Sequence, residues 1–353
     1  LITGHTGFKG SWLTILLNQL GSNVHGISYK DEKLSLSRNV DLQKFCSSNI
    51  IDLRDQKDFH RKFDEINPEI VIHLAAQSLV LKSYEDPYLT YSTNLIGLVN
   101  VLDAIRSSQS TKVVLNVTSD KCYKNIEYKD GYTEEDILGG HDPYSSSKAC
   151  SELISESYRN SYFSEAGVAC LTARAGNVIG GGDWSENRLV PDIFKSIIKN
   201  EVLEIRRPEA IRPWQHVLEP LSGYLCLAND LYLSPHKHGG AFNFGPSSDT
   251  NYPVSILIEE MSIYWDKIKW NDVSNNDNNV HEAGLLKLNC DKALIDLNWH
   301  SALNFKATVE MTVQWYKEYY QNRNKSMNDF TIRQIESYSK AADLSSLSWA
   351  KND

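Results

Sequence analysis

Tyr144 and Lys148 stand four residues apart in Tyr144-Ser145-Ser146-Ser147-Lys148, so on a helix they share one face. Free tyrosine ionises near pH 10, and service as a base near pH 7 requires its anion to be favoured by about 3 units, or roughly 4 kcal/mol. A lysine ammonium one turn away is one charge able to contribute to that. Earlier in the chain an apolar run ends in Val117-Thr118-Ser119-Asp120-Lys121, which groups a hydroxyl, a carboxyl and an amine. Neighbouring strand residues face opposite ways, so Asp120 and Lys121 reach one pocket only if the strand breaks at Ser119 or Asp120. The competing uses are capping of the next turn for Asp120 and a solvated surface charge for Lys121.

A second constellation opens the chain. Gly4-His5-Thr6-Gly7-Phe8-Lys9-Gly10 follows the strand remnant Leu1-Ile2-Thr3 and leads into an apolar helix. Bare glycine backbone in this spacing lets a pyrophosphate approach the unpaired N–H groups of the helix N-terminus. A dinucleotide held there would bring an oxidised nicotinamide ring, a second positive charge for Tyr144. Ser28-Tyr29-Lys30 ends the second strand and Asp31 lies just beyond it, which leaves NAD and NADP both open. Asp52-Leu53, after Ile50-Ile51, reads as an adenine contact or equally as a helix cap ahead of Gln56.

The elements that must position these groups alternate. Val24 to Ser28, Ile70 to Ala75, Val113 to Thr118 and Val168 to Arg174 read as buried strands, and Trp12 to Leu20 and Leu95 to Ile105 carry apolar residues at helical spacing. The pattern predicts an α/β fold, a Rossmann doubly wound parallel sheet over 1–176. A smaller mixed α/β lobe over 177–353, some of it returning to the sheet, should cap the sheet's carboxyl end. Leu203 to Arg206 and Ala241 to Phe244 are its strand candidates, Asn271 to Asn279 an exposed loop, and 322–353 a loosely held, Ser-rich tail.

Bulk properties narrow the function. The chain has 353 residues with 36 Lys and Arg against 45 Asp and Glu, a net charge of −9. That excludes a chain-wide nucleic-acid surface and leaves an anionic ligand dependent on local cations. Six scattered cysteines form no C-x-x-C pair and no metal set, and read as reduced and packed. With no long apolar segment and no basic leader, a cytoplasmic protein is expected. Leu1 is not Met, and a native start about a dozen residues earlier would complete the first strand.

Gly4 to Gly10, Leu74-Ala75-Ala76-Gln77, Thr93-Asn94, Ser119-Asp120, and Tyr144 with Lys148 together resemble the extended short-chain dehydrogenase/reductase superfamily. Asp120 at the strand end is similar to its nucleotide-sugar 4,6-dehydratase branch. Lys121, where that branch commonly has Glu, followed by Cys122-Tyr123, resembles members acting on CDP-glucose, as do the stretches Ala173 to Trp184 and Ile211 to Val217. The resemblance implies a tightly held NAD, contacted by Gly4, Thr6, Gly7, Phe8, Lys9, Gly10, Asp52, Leu53, Leu74, Ala75, Ala76, Gln77, Asn94, Thr118, Tyr144 and Lys148. It implies that Ser119, Asp120, Lys121, Tyr144 and Lys148 act in catalysis, with Tyr144 taking the 4-hydroxyl proton, Asp120 protonating the departing 6-hydroxyl and Lys121 taking the C5 proton. Arg188 and Arg212 are the best diphosphate cations because guanidinium binds phosphate in a fork. Arg207, Asn177 and His216 join them, although a packed histidine is the commoner finding. Products would feed deoxysugar and O-antigen synthesis, and assembly would be a homodimer or homotetramer through helices starting near Leu95 and Pro143. Another nucleotide hexose as substrate, or 4-epimerase chemistry, stays open at this point.

Overall fold

The computed structural model describes residues 1–31, 34–246, 252–274, 285–322 and 325–350. Six parallel strands come first: β1 (Ile2–Thr3), β2 (His25–Ser28), β3 (Ser47–Ile50), β4 (Ile70–His73), β5 (Val113–Val117) and β6 (Ala169–Ala175). Short strands β7 (Val178–Ile179), β8 (Leu203–Ile205), β9 (Ile211–Arg212) and β10 (Gln215–His216) follow, then β11 (Ala241–Phe244), β12 (Tyr252–Pro253) and β13 (Trp270–Asp272). The main sheet runs β11-β6-β5-β4-β1-β2-β3, and every neighbouring pair in it is parallel. Strand order reverses between β1 and β4, which opens a crevice at their carboxyl ends.

The principal helices are α1 (Phe8–Gln19), α2 (Gln56–Ile66), α3 (Gly97–Ser107), α4 (Pro143–Tyr158), α5 (Leu189–Lys199), α6 (Leu218–Leu233), α7 (Val254–Tyr264), α8 (Phe305–Gln321) and α9 (Asn328–Leu344). Side chains of β5 alternate between the sheet's two faces. Val113, Leu115 and Val117 join the core beneath α1 and α6, and Val114 joins a second core with Phe59, Val101 and Ile105 from α2 and α3. Both faces are thus covered, as a parallel sheet requires.

Three expectations are corrected. Ala241–Phe244 belongs to the main sheet, paired with β6, rather than to the smaller lobe. Of the expected loop over 271–279, Asn271 and Asp272 lie in β13, parallel to β8, and residues 275–279 fall outside the described ones. The segment expected to be loose forms α9, whose Ile335 and Tyr338 are fully buried. Tyr338 donates its hydroxyl to Glu219 Oε2 at 2.9 Å, and Trp349 donates Nε1 to Ser222 Oγ at 2.7 Å, so the segment is clamped to α6. Glu219 also accepts the N–H groups of Ala302 (3.1 Å) and Leu303 (2.7 Å), and burial pushes its carboxyl up to about 7. Among the described residues no helix is long and apolar enough to cross a membrane.

Candidate active site

β5 ends at Val117, and Ser119 caps a tight turn over Asp120–Cys122 by accepting the N–H of Lys121 at 3.2 Å. That break turns Asp120 inward, 3 % exposed, and leaves Lys121 exposed. Ser119 donates its hydroxyl to Asp120 Oδ1 at 2.9 Å. Oδ2 is buried without a partner among the described residues, facing Gly176, where a Cβ would stand 2.7 Å away. Burial raises the Asp120 pKa, opposed by Lys121, Ser119 and Lys9. The result is a carboxyl suited to carrying a proton.

α4 starts where its sequence dictates. Asp142 caps it, accepting the N–H of Ser145 at 2.9 Å and its hydroxyl at 2.6 Å, and Pro143 occupies the first turn. Tyr144 and Lys148 face the turn. Lys148 donates to the Val117 carbonyl at 3.1 Å, and burial pushes its ammonium down to about 8, opposed by Glu152 and Cys122. Tyr144 is pushed up to about 12 by burial, opposed by the Ser119 hydroxyl and Arg188. The cation acting on Tyr144 is therefore Arg188, from the edge of the smaller lobe, whereas the ammonium of Lys148 is turned to a backbone carbonyl.

The glycine loop is built by close approach. Gly4 has φ +77° and lies against β4's end, where a Cβ would meet Ala75 N at 2.7 Å; a Cβ on Gly10 would stand 2.1 Å from the Gly4 carbonyl oxygen. Gly7 caps α1 with no side-chain bond, and no acidic residue occupies the first turn. The first N–H groups of α1 are left for an anion, which fits a dinucleotide pyrophosphate. Phe8 begins α1, and Thr6 is tied to the end of β2 through Ser28 Oγ (3.2 Å) and the Lys30 carbonyl (2.7 Å). Lys9 departs from the loop's backbone cradle. It donates to the Tyr224 hydroxyl on α6 at 3.4 Å and is pushed down to about 7 by burial, then by Arg188 and Lys148, with Asp120 opposing. Lys9 thus feels the charges of Lys148, Asp120 and Arg188, the last paired with Asp183 at 3.2 Å.

Other expected contacts are distributed differently. Leu74, Ala75, Ala76 and Gln77 follow β4 into the crevice, half-buried. Asn94, in a π-helical turn over Ser92–Ile96, donates to the Gln77 carbonyl (3.1 Å) and Ser147 Oγ (2.8 Å) and accepts the Gln77 N–H (2.8 Å), so it braces the crevice against α4. Thr118 sends its hydroxyl inward to Glu152. Asp52 is gripped by Arg54 at 3.0 and 2.6 Å and Leu53 is buried in the second core, while Asp55 caps α2, so capping by Asp52 is corrected. Asn177 is half-buried just past β6, and Arg207 and Arg212 are half-buried before and within β9. His216 is fully buried, its edge on Trp12 at 5.8 Å and its pKa driven to about 3 by burial, so it is a packed neutral histidine and not a substrate contact.

Sequence reasoning missed Gly176, which makes room for Asp120. A glycine at the end of the strand neighbouring the catalytic one was the available signal. Tyr224 carried none, since only the packing of α6 on the sheet brings it to Lys9.

The sequence matches the family described as GDP-mannose 4,6 dehydratase over residues 1–312. It is 43 % identical over 347 residues to a CDP-glucose 4,6-dehydratase of Salmonella typhimurium, covering 96 % of each chain. It is 25 % identical over 341 residues to a dTDP-glucose 4,6-dehydratase of Shigella flexneri, covering 90 % of this chain and 92 % of that one. A solved dTDP-glucose 4,6-dehydratase of Bacillus anthracis in complex with NAD superposes with TM-score 0.73 at 20 % identity, covering 91 % of this chain and 96 % of that one. A UDP-glucose 4-epimerase of Thermotoga maritima with UDP-glucose gives TM-score 0.76 at 20 % identity, covering 90 % and 98 %. The two solved structures share the fold.

Proposed function

From the membership of this chain in the GDP-mannose 4,6 dehydratase family, we propose that it is an NAD-dependent nucleotide-sugar 4,6-dehydratase whose substrate is CDP-glucose. The observation that carries the chemistry is Asp120, a buried carboxyl with raised pKa and a partnerless oxygen beside the Tyr144 and Ser119 hydroxyls. An epimerase has no use for such an acid. The substrate choice rests on the 43 % identity to the Salmonella typhimurium enzyme.

NAD held by the glycine loop and Lys148 would supply a hydride acceptor for C4 of the sugar and a hydride donor for C6, which would make the cycle redox-neutral. The chain's residues move the protons. Tyr144 accepts that of the 4-hydroxyl, with Ser119 and Arg188 opposing the burial that raises its pKa. The 4-ketone acidifies the C5 hydrogen, whose removal is assigned to Lys121. Asp120 protonates the 6-hydroxyl, which leaves as water. Lys148 holds the cofactor ribose, Lys9 and Arg188 offer charge to phosphate oxygens, and Asn177, Arg207 and Arg212 complete the nucleotide contacts. Exposed Tyr88, Ile96 and Leu153, on or beside helices that pack together, support a homodimer through α3 and α4.

Incubation with CDP-, dTDP-, UDP- and GDP-hexoses tests the reading by formation of a 4-keto-6-deoxy sugar. Turnover of dTDP-glucose with none of CDP-glucose overturns the substrate. In deuterated solvent, Lys121→Ala should lose exchange at C5, and undiminished exchange removes Lys121 from the role.

A further inference from the structure

Glu152 lies four residues beyond Lys148, so Tyr144, Lys148 and Glu152 line one face of α4. It is buried and meets buried Arg174 of β6 in a forked ion pair, with Nε to Oε1 at 3.0 Å and Nη2 to Oε2 at 2.9 Å. Both carboxylate oxygens take a further donor: the Thr118 hydroxyl on Oε1, and the Thr172 hydroxyl on Oε2 at 2.5 Å. Arg174 Nη1 donates to the Tyr123 hydroxyl at 2.7 Å and to the Glu134 carbonyl at 3.0 Å, and the guanidinium lies 4.8 Å from the centre of the Tyr123 ring. Tyr123 stacks on Tyr132 at 5.1 Å and donates its hydroxyl to Asn243 Oδ1 at 2.8 Å. Thr118 and Tyr123 are the residues immediately before and after Ser119, Asp120, Lys121 and Cys122. One ion pair therefore grips the turn at both ends and holds it against α4.

Taking two charges out of water costs several kcal/mol per ion, and apolar residues of similar volume often stabilise a fold as well. Stability alone is a poor account of a pair so fully satisfied. We propose that Glu152 and Arg174 are positioning residues for catalysis, which fix the turn bearing Ser119, Asp120 and Lys121 in register with the helix bearing Tyr144 and Lys148. The inference rests on the assignment of those five residues as the catalytic set. Glu152 acts a second time through charge: it favours the ammonium form of Lys148. Among the described residues the other titratable groups facing Lys148 include Tyr144 on the same face of α4, Cys122 on the turn, Lys9 on α1 and His73 at the end of β4, and neither Lys9 nor His73 offers a negative charge.

The test compares the full-length protein with Glu152→Gln, Arg174→Met and the double variant Glu152→Leu with Arg174→Met. Glu152→Gln should fold by circular dichroism, lose kcat on the order of 100-fold through misplacement of the turn with KM little changed, and shift the alkaline limb of its kcat profile to lower pH. Amide hydrogen exchange over 118–123 should quicken in both single variants and stay unchanged in the loop over 4–10. The double variant should regain the melting temperature of the wild type without regaining kcat. Recovery of kcat together with melting temperature, or a folded Glu152→Gln with unaltered kcat and exchange, overturns the proposal and leaves the pair structural. Wild-type protein that turns over no nucleotide hexose instead overturns the catalytic assignment, and the exchange measurement still decides whether the pair holds the turn.

Discussion

Asp120 and Lys148 must both carry a proton during turnover, and burial favours this at Asp120 and opposes it at Lys148. Burial raises Asp120, whose acid form is present below its pKa and lost as pH climbs through it. Burial lowers Lys148 to about 8, and its ammonium is likewise lost as pH rises through that value. Loss of the Lys148 ammonium falls on the alkaline side, so kcat measured against pH should decline above about 8. Asp120→Asn keeps the shape of the side chain and removes the acid. Water loss should fall by about 10²–10⁴-fold, while C4 oxidation continues and NADH absorbance accumulates; a normal rate of 6-deoxy product would rule out the acid role. The helix face shared by Tyr144 and Lys148 and the break at Ser119 were legible because each follows from local period. The arrival of Arg188 at Tyr144 and of Lys9 at Asp120 was not, because both depend on how distant segments meet.

At the scale of elements, α9 shows where composition misleads. The segment after Asn322 is polar and Ser-rich, yet Thr331, Ile335, Tyr338 and Ala342 recur at helical spacing and are all buried. Reading period instead of average polarity would have found the helix. Ile335→Ala should cost about 2–5 kcal/mol in denaturant unfolding, as for other core truncations; an unchanged midpoint would restore the loosely held tail. The strands of the sheet were easier. Their runs are short, β-branched and bounded by turn residues, whereas β3 escaped notice because Ser47–Ile50 is half exposed at the sheet's edge and shows no apolar run.

For the whole molecule, alternation of strand and helix was sufficient to expect the doubly wound sheet, and the smaller lobe's pairing of β7 with β10 and β8 with β13 was beyond reach of a sequence pattern. Assembly belongs to this scale. Leu153 is 55 % exposed on α4 and Ile96 52 % exposed just before α3, and the proposed dimer would cover both. Sedimentation should report a dimer, and Leu153→Asp a monomer; a wild-type monomer at micromolar concentration would refute this surface as the interface. The phosphate loop carries a consequence of another kind. A Cβ on Gly4 or Gly10 would overlap another residue's backbone, at 2.7 and 2.1 Å, and every missense change of a glycine codon introduces a side chain. In a randomly mutagenised gene selected for activity, these two codons should vary only at the third base.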